Sequence, residues 1–212
     1  MPDLMLAGRE PTSLEKYIEL VDRCAREHLN LPIANGSPLH ARILIAKLFE
    51  TAETTVHLVT GSLRMKSLSG IDIYAHKPVI EQAKKFLRHP TSRLSIIIQT
   101  GLIDGGEENV FLREVAADPA RQGLIDVSIP KTKVLGEEVP HFMEADSSTY
   151  RLETGADANP SNSAIAAIAN FGDSKTATSL SEYFEDIRKL IGMDGYLTSR
   201  FSIGQGEAFS LN

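Results

Sequence analysis

The chain has 212 residues, 42% of them hydrophobic and 24% charged, the range of an ordinary globular domain long enough to bury a real core. Its net charge of −6 excludes a dominant non-specific grip on nucleic acid, which needs a basic face, while leaving room for a local basic patch. The single cysteine, Cys24, excludes an intramolecular disulfide and fits a reducing, cytoplasmic compartment. No apolar run approaches the ~18 residues of a membrane span, so no membrane association is expected, and the opening Met1–Arg9 lacks the apolar centre of a signal peptide.

Residues 1–11 read as a loose leader. Thr12 or Ser13 caps a first helix running to about His28, with Leu14, Tyr17, Ile18, Val21, Cys24 and Ala25 recurring at helical spacing. Cys24 on that apolar face reads as a buried core thiol. Asn30–Gly36 holds Pro and Gly and reads as a loop. Ser37 then caps a second helix to about Ala52, with Pro38 at its first position, where a missing N–H is harmless.

Thr54–Thr60 is β-branched and reads as a strand, with His57 expected to be a hydrogen-bonded histidine on one of its faces. Leu63–Ala75 is an irregular connection. Lys77-Pro78 opens a third helix through Val79, Ile80, Ala83 and Phe86, stopped by His89-Pro90, with Lys84, Lys85 and Arg88 on a solvated side. Arg93–Gln99 is a nearly continuous apolar run and predicts a central strand covered on both faces. A short helix over Asn109–Ala117 and a strand over Leu124–Ile129 follow.

Two strand-like runs, His141–Asp146 and Thr149–Glu153, separated by Ser147-Ser148, predict a β-hairpin. Ser-Ser is a poor fit for a type I′ turn, whose central residues both need φ > 0. The loop Gly155–Asn162, a strand over Ala164–Asn170 and a long helix capped by Asp173 or Ser174 and reaching Ile191 complete the series. The tail from Gly192 carries Met193, Tyr196, Leu197, Phe201, Ile203, Phe209 and Leu211, too many apolar groups for a freely solvated end. The alternation predicts an α/β fold with a mixed β-sheet sandwiched between helices. Three parts follow: residues 1–36 as leader and helix, 37–191 as the α/β domain, and 192–212 as the tail.

The six histidines are scattered and suggest no metal site, and no cofactor is expected. Gly101–Gly106 lacks the Gly-Lys-Ser/Thr ending of a phosphate loop, and no Gly-x-Ser-x-Gly elbow exists. Arg42, Lys47, Arg64 and Lys66 form the one basic cluster worth noting, and a solvated surface accounts for it.

The order of elements over residues 38–190, with His141 opening a late strand, resembles the phospholipase D-like family. Its signature is His-x-Lys-x4-Asp followed by a Gly-Ser-x-Asn loop. The resemblance implies that His141 attacks phosphorus, that lysine and asparagine hold the phosphate oxygens, and that two motif copies meet. Here His141 matches, Met143 stands at the lysine position, Ser148 at the aspartate position with Asp146 two residues early, and Gly155–Asn159 has one residue too many. His141 is therefore the catalytic candidate, and Asn159, Asn162 and Arg151 are the candidates to hold a ligand. With one motif copy, the resemblance implies a homodimer. Two readings stand: a catalytically degenerate binding or regulatory module in the cytoplasm, with a protein partner in view and nucleic acid left open, or a homodimeric phosphodiesterase or nuclease that recruits Arg42, Lys47 or Arg151 as its missing cation.

Overall fold

The computed structural model describes residues 12–61, 63, 73–99, 109–130, 139–153, 167–193 and 198–200. Helix α1 (Ser13–Arg26) opens on a capping box, in which Thr12 accepts from the Glu15 amide and Glu15 reaches back to the Thr12 amide. Its apolar face buries Val21, Cys24 and Ala25. Where the sequence predicts a loop, Ile33–Asn35 forms a short strand, β1, with Ile33 and Asn35 turned inward. Three residues bracketed by Pro32 and Gly36 are too few to leave a periodic signal.

Helix α2 (Pro38–Thr51) starts at Ser37, whose hydroxyl accepts from the His40 amide. Then come β2 (Thr55–Thr60), α3 (Lys77–Phe86), β3 (Arg93–Ile98), α4 (Val110–Val115), the single turn α5 (Pro119–Gln122) and β4 (Ile125–Ser128). The hairpin β5 (Phe142–Ala145) and β6 (Thr149–Glu153), the strand β7 (Ala167–Asn170), the long helix α6 (Ser174–Met193) and β8 (Thr198–Arg200) follow.

All eight strands join one sheet in the order β1-β7-β6-β5-β2-β3-β4-β8. The β2–β3–β4 pairings are parallel and every other pairing is antiparallel, so the sheet is mixed as expected. Leu94 to Ile98 of β3 are all buried, in keeping with an interior strand covered on both faces. One face packs under α1 to α4 through Leu44, Leu48, Phe49, Val79, Phe86 and Phe111. The other packs under α6, where Phe184, Ile187 and Ile191 meet Val59, Ile97, Phe142 and Tyr150. Each large apolar side chain buried this way contributes ~1.5–3 kcal/mol, so the two layers hold the sheet from both sides.

The hairpin turn is shifted from the expected Ser147-Ser148. Ala145 pairs with Thr149, and the positive φ values fall on Asp146 (55°) and Ser147 (52°). Asp is one of the few residues that visits this region readily, and its carboxylate has a use there. It accepts from the amides of Glu53 (2.6 Å), Thr54 (2.9 Å) and Thr55 (2.8 Å) and from the Thr54 hydroxyl (2.7 Å). Asp146 thus fastens the hairpin turn to the start of β2, far along the strand from His141.

No helix among the described residues is long and apolar enough to cross a membrane.

Candidate functional site

The pleat of the hairpin sorts its side chains into two polar groups. On the face under α1 and α2 lie His141, Met143, Arg151 and Glu153. On the α6 face lie Phe142, Glu144, Tyr150 and Leu152.

The first group holds His141 just before β5, at the end of the sheet where β2 finishes. Gln99 helps to place the entry to β5 by donating to the Val139 carbonyl at 3.2 Å. The Glu153 amide donates to the His141 carbonyl at 2.9 Å, which sets the two side chains opposite each other. Glu153 Oε2 then lies 2.9 Å from His141 Nδ1, and Glu153 Oε1 accepts from Arg151 Nη1 at 3.0 Å. Burial pushes the Glu153 carboxyl up, but the His141 hydrogen bond and the Arg151 charge together outweigh it and hold the pKa below the usual range. Glu153 is therefore a carboxylate that accepts, and the proton of the contact sits on His141 Nδ1. This leaves Nε2 as the ring's open position, and among the described residues it has no hydrogen-bond partner. The ring lies over Gly61, where a Cβ would stand 3.0 Å from both Cε1 and Nε2.

Arg151 is 2% exposed. Among the described residues its Nε and Nη2 have no partner, while Nη1 is committed to Glu153. Burial pushes the Tyr17 hydroxyl up to about 12, with the charge of Arg151 opposing it. Tyr17 stacks on His40 with ring centroids 3.9 Å apart and donates to the Ala34 carbonyl at 3.1 Å. Burial also holds His40 below the ordinary histidine value. Met143, opposite Arg151 in the ladder, is fully buried in the core.

The second group centres on Glu144, which is fully buried. Its Oε2 lies 2.9 Å from His57 Nδ1, and its Oε1 accepts from the Ser147 amide. Ser181 Oγ lies 3.3 Å from the same His57 nitrogen, Glu185 lies 3.9 Å from Nε2, and Phe184 stacks on the ring at 4.4 Å. A buried carboxylate needs such a partner, and the pair ties β2 and β5 to α6. His57 is thus a hydrogen-bonded face histidine, as its sequence context suggests. Ser181 and Glu144 share one ring nitrogen, so this is not the geometry of a nucleophile–histidine–carboxylate relay.

Of the sequence candidates, the structure brings Arg151 into the His141 network through Glu153. Asn159 and Asn162 lie outside the described residues, as do Arg64 and Lys66. Lys47 is separated from the site and held by Asp22 (2.7 Å) and Glu50 (2.9 Å). Glu153 is the functional residue that sequence reasoning missed. Counting pairs outward from the expected Ser147-Ser148 turn sets Thr154 across from His141, and only the observed Ala145–Thr149 register brings Glu153 there.

A mixed sheet between two helical layers is an α/β fold, and comparison with solved structures shows it to be phospholipase D-like. The chain is similar to Nuc from Salmonella typhimurium, a phospholipase D family member, with a TM-score of 0.52 and 15% identity over 81% of this chain and 99% of that one. It is also similar to TrmBL2, an archaeal chromatin protein with a novel mode of DNA binding, with a TM-score of 0.50 and 10% identity over 81% of this chain and 59% of that one. No protein-family profile and no curated protein matches the sequence.

Proposed function

We propose that this chain is a catalytically degenerate phospholipase D-like domain that acts as a binding or regulatory module in the cytoplasm. The observation that carries this reading is the fate of the cation. The signature lysine position holds Met143, sealed in the core, and the nearest replacement, Arg151, spends its charge on Glu153 at 3.0 Å. Attack on a phosphodiester needs pre-organised positive donors at the non-bridging oxygens, and an arginine neutralised by its neighbour is a weak source of them. Binding makes a smaller demand. In this reading His141 Nε2 at the rim, with Asn159 and Asn162, engages a phosphate backbone locally on an acidic protein, and Arg151 contributes through Glu153. A nucleic-acid ligand gains support from the DNA-binding chromatin protein that shares the fold.

The second reading is a homodimeric phosphodiesterase using His141 from each subunit. It is favoured by the Glu153 contact, which fixes the Nδ1–H tautomer and leaves Nε2 as a nucleophile.

Fluorescence anisotropy with labelled single-stranded and duplex DNA, run beside hydrolysis of bis-para-nitrophenyl phosphate, separates the two. Salt-sensitive binding without turnover supports the module. Turnover abolished by His141→Ala overturns it in favour of the enzyme. Light scattering at micromolar concentration tests the homodimer.

A further inference from the structure

The sheet ends in β1, which pairs only with β7 among the described residues. Natural sheet edges are guarded by charge, by proline or by a covering segment, because an open strand is a template for another. Ile33, Ala34 and Asn35 carry no charge, and Pro32 stands just outside the strand. The surroundings are apolar on both faces of the sheet. Ile168, across the ladder from Ala34 and beside Leu152, is exposed on the face that α6 covers further along. On the other face lie α1 and α2, where Ile18 and Leu39 are exposed. They adjoin in sequence Tyr17 and His40, whose rings stack at 3.9 Å, and the Tyr17 hydroxyl reaches the Ala34 carbonyl at 3.1 Å. Leu31, just before β1, is exposed as well. Four of the seven large hydrophobic side chains exposed among the described residues thus gather round one sheet edge.

The occupant that fits such an edge is a strand with apolar side chains on both of its faces. Leu4-Met5-Leu6, outside the described residues, is a run of this kind: in an extended chain Leu4 and Leu6 share one face and Met5 takes the other. It also matches the three residues of β1 in length. The distance is short enough. Residues 7–11 separate the run from Thr12, which caps α1, and when extended they span ~17 Å. Thr12 lies about 8 Å along α1 from Tyr17, at the helical rise per residue. The chain beyond Arg200, by contrast, departs from β8 at the opposite edge of the sheet, about 33 Å away across the intervening strands.

We propose that Leu4–Leu6 of the same chain docks as a strand along the outer edge of β1 and extends the sheet. Its side chains cover Ile168 on one face and Ile18 and Leu39 on the other. The Ala34 carbonyl keeps its bond from Tyr17, since a carbonyl oxygen can accept twice. The docked strand gives the exposed edge a fixed cover and closes it to other chains. This edge is separate from His141, and the proposal does not depend on the function proposed above.

Backbone NMR of the full chain with amide hydrogen exchange tests this. Leu4, Met5 and Leu6 should show strand-like chemical shifts, and at least one of their amides should exchange ~tenfold or more slowly than in a free peptide of residues 1–11. Met5→Asp in the full chain should return that amide to the peptide's rate. Leu39→Asp should also speed its exchange, and α2 should survive the change because an acid in a helix's first turn is favourable. Val110→Asp, at an exposed position on α4, should leave the exchange unchanged. Coil-like shifts at Leu4–Leu6, or protection that survives both Met5→Asp and Leu39→Asp, would overturn the proposal. Protection that vanishes on dilution would overturn it too, by making the occupant the same segment of a second copy.

Discussion

Met143 and Arg151 stand directly opposite each other in the β5–β6 ladder, side by side on the face that packs under α1 and α2. One is the residue that the proposed family resemblance sets at the lysine position, and the other is the buried arginine that pairs with Glu153. A lysine at position 143 would place a second cation beside Arg151 in a site with almost no exposure. Met143→Lys is expected to destabilise the protein by on the order of 3 kcal/mol, the scale of an uncompensated buried charge. The double variant Met143→Lys with Arg151→Met should recover much of that loss. Urea denaturation of the three proteins measures it, and a single variant as stable as the parent would contradict the packing described.

Glu153 joins two residues that would otherwise be strangers. Removing its charge leaves Arg151 buried without a counter-charge and His141 without a fixed tautomer. Glu153→Gln should cost roughly 3 kcal/mol in guanidinium melts. It should also shift the ¹⁵N resonances of the His141 ring away from the pattern of a protonated Nδ1. His141→Ala should leave stability within ~1 kcal/mol of the parent, because that ring is partly exposed and Arg151 keeps its partner. The reverse ranking would mean that His141, not Arg151, is the structural member of the network.

The contrast between these residues shows where sequence reading reaches and where it stops. Arg93–Ile98 was legible because a continuous apolar run has few other uses, and Thr12 and Ser37 were legible because capping is local chemistry. The β5–β6 hairpin was legible because two short strand-like runs joined by small polar residues are also a local signal. The His57–Glu144 pair was not, because it depends on β2 lying beside β5, a pairing 87 residues apart in the chain. The turn position was missed because Asp146 trades an awkward φ for four hydrogen bonds to residues more than 90 positions away. Nothing near Asp146 in the sequence announces those partners.

Asp146 makes the acid limb of the stability curve predictable. Burial works to raise its pKa, but the Glu53 amide, the Thr54 hydroxyl and the Thr55 and Thr54 amides together outweigh it, so the carboxyl sits below its ordinary value. A carboxyl that binds its proton more weakly when folded stabilises fully above its unfolded pKa of roughly 3.9, and that stabilisation is lost as pH falls through the folded value. Glu153 is shifted in the same direction and adds to the effect. Asp146→Asn should cost about 1–2 kcal/mol near neutrality and flatten the loss of stability below about pH 4. Denaturation midpoints between neutral and acid pH, compared for the two proteins, test this, and parallel curves would count against it.

Two glycines separate what the fold requires from what the site requires. A Cβ on Gly172 would stand 2.1 Å from the His28 carbonyl oxygen and 2.7 Å from the Asn30 amide nitrogen, both backbone atoms that cannot swing away. His28 itself has a φ of 48°, so this crossing of β7's exit over the end of α1 is already a tight one. Gly172→Ala should therefore cost several kcal/mol, on the order of 3 or more, through displaced backbone. At Gly61 the nearest atoms are Cε1 and Nε2 of His141, the far end of a side chain that can rotate. Gly61→Ala should cost less than about 1 kcal/mol in stability yet move the imidazole off its place opposite Glu153. Thermal melts should rank Gly172→Ala far below Gly61→Ala, while the His141 ring resonances should change in Gly61→Ala. A Gly61→Ala protein with an unshifted His141 ring would show that the ring does not lie over that glycine.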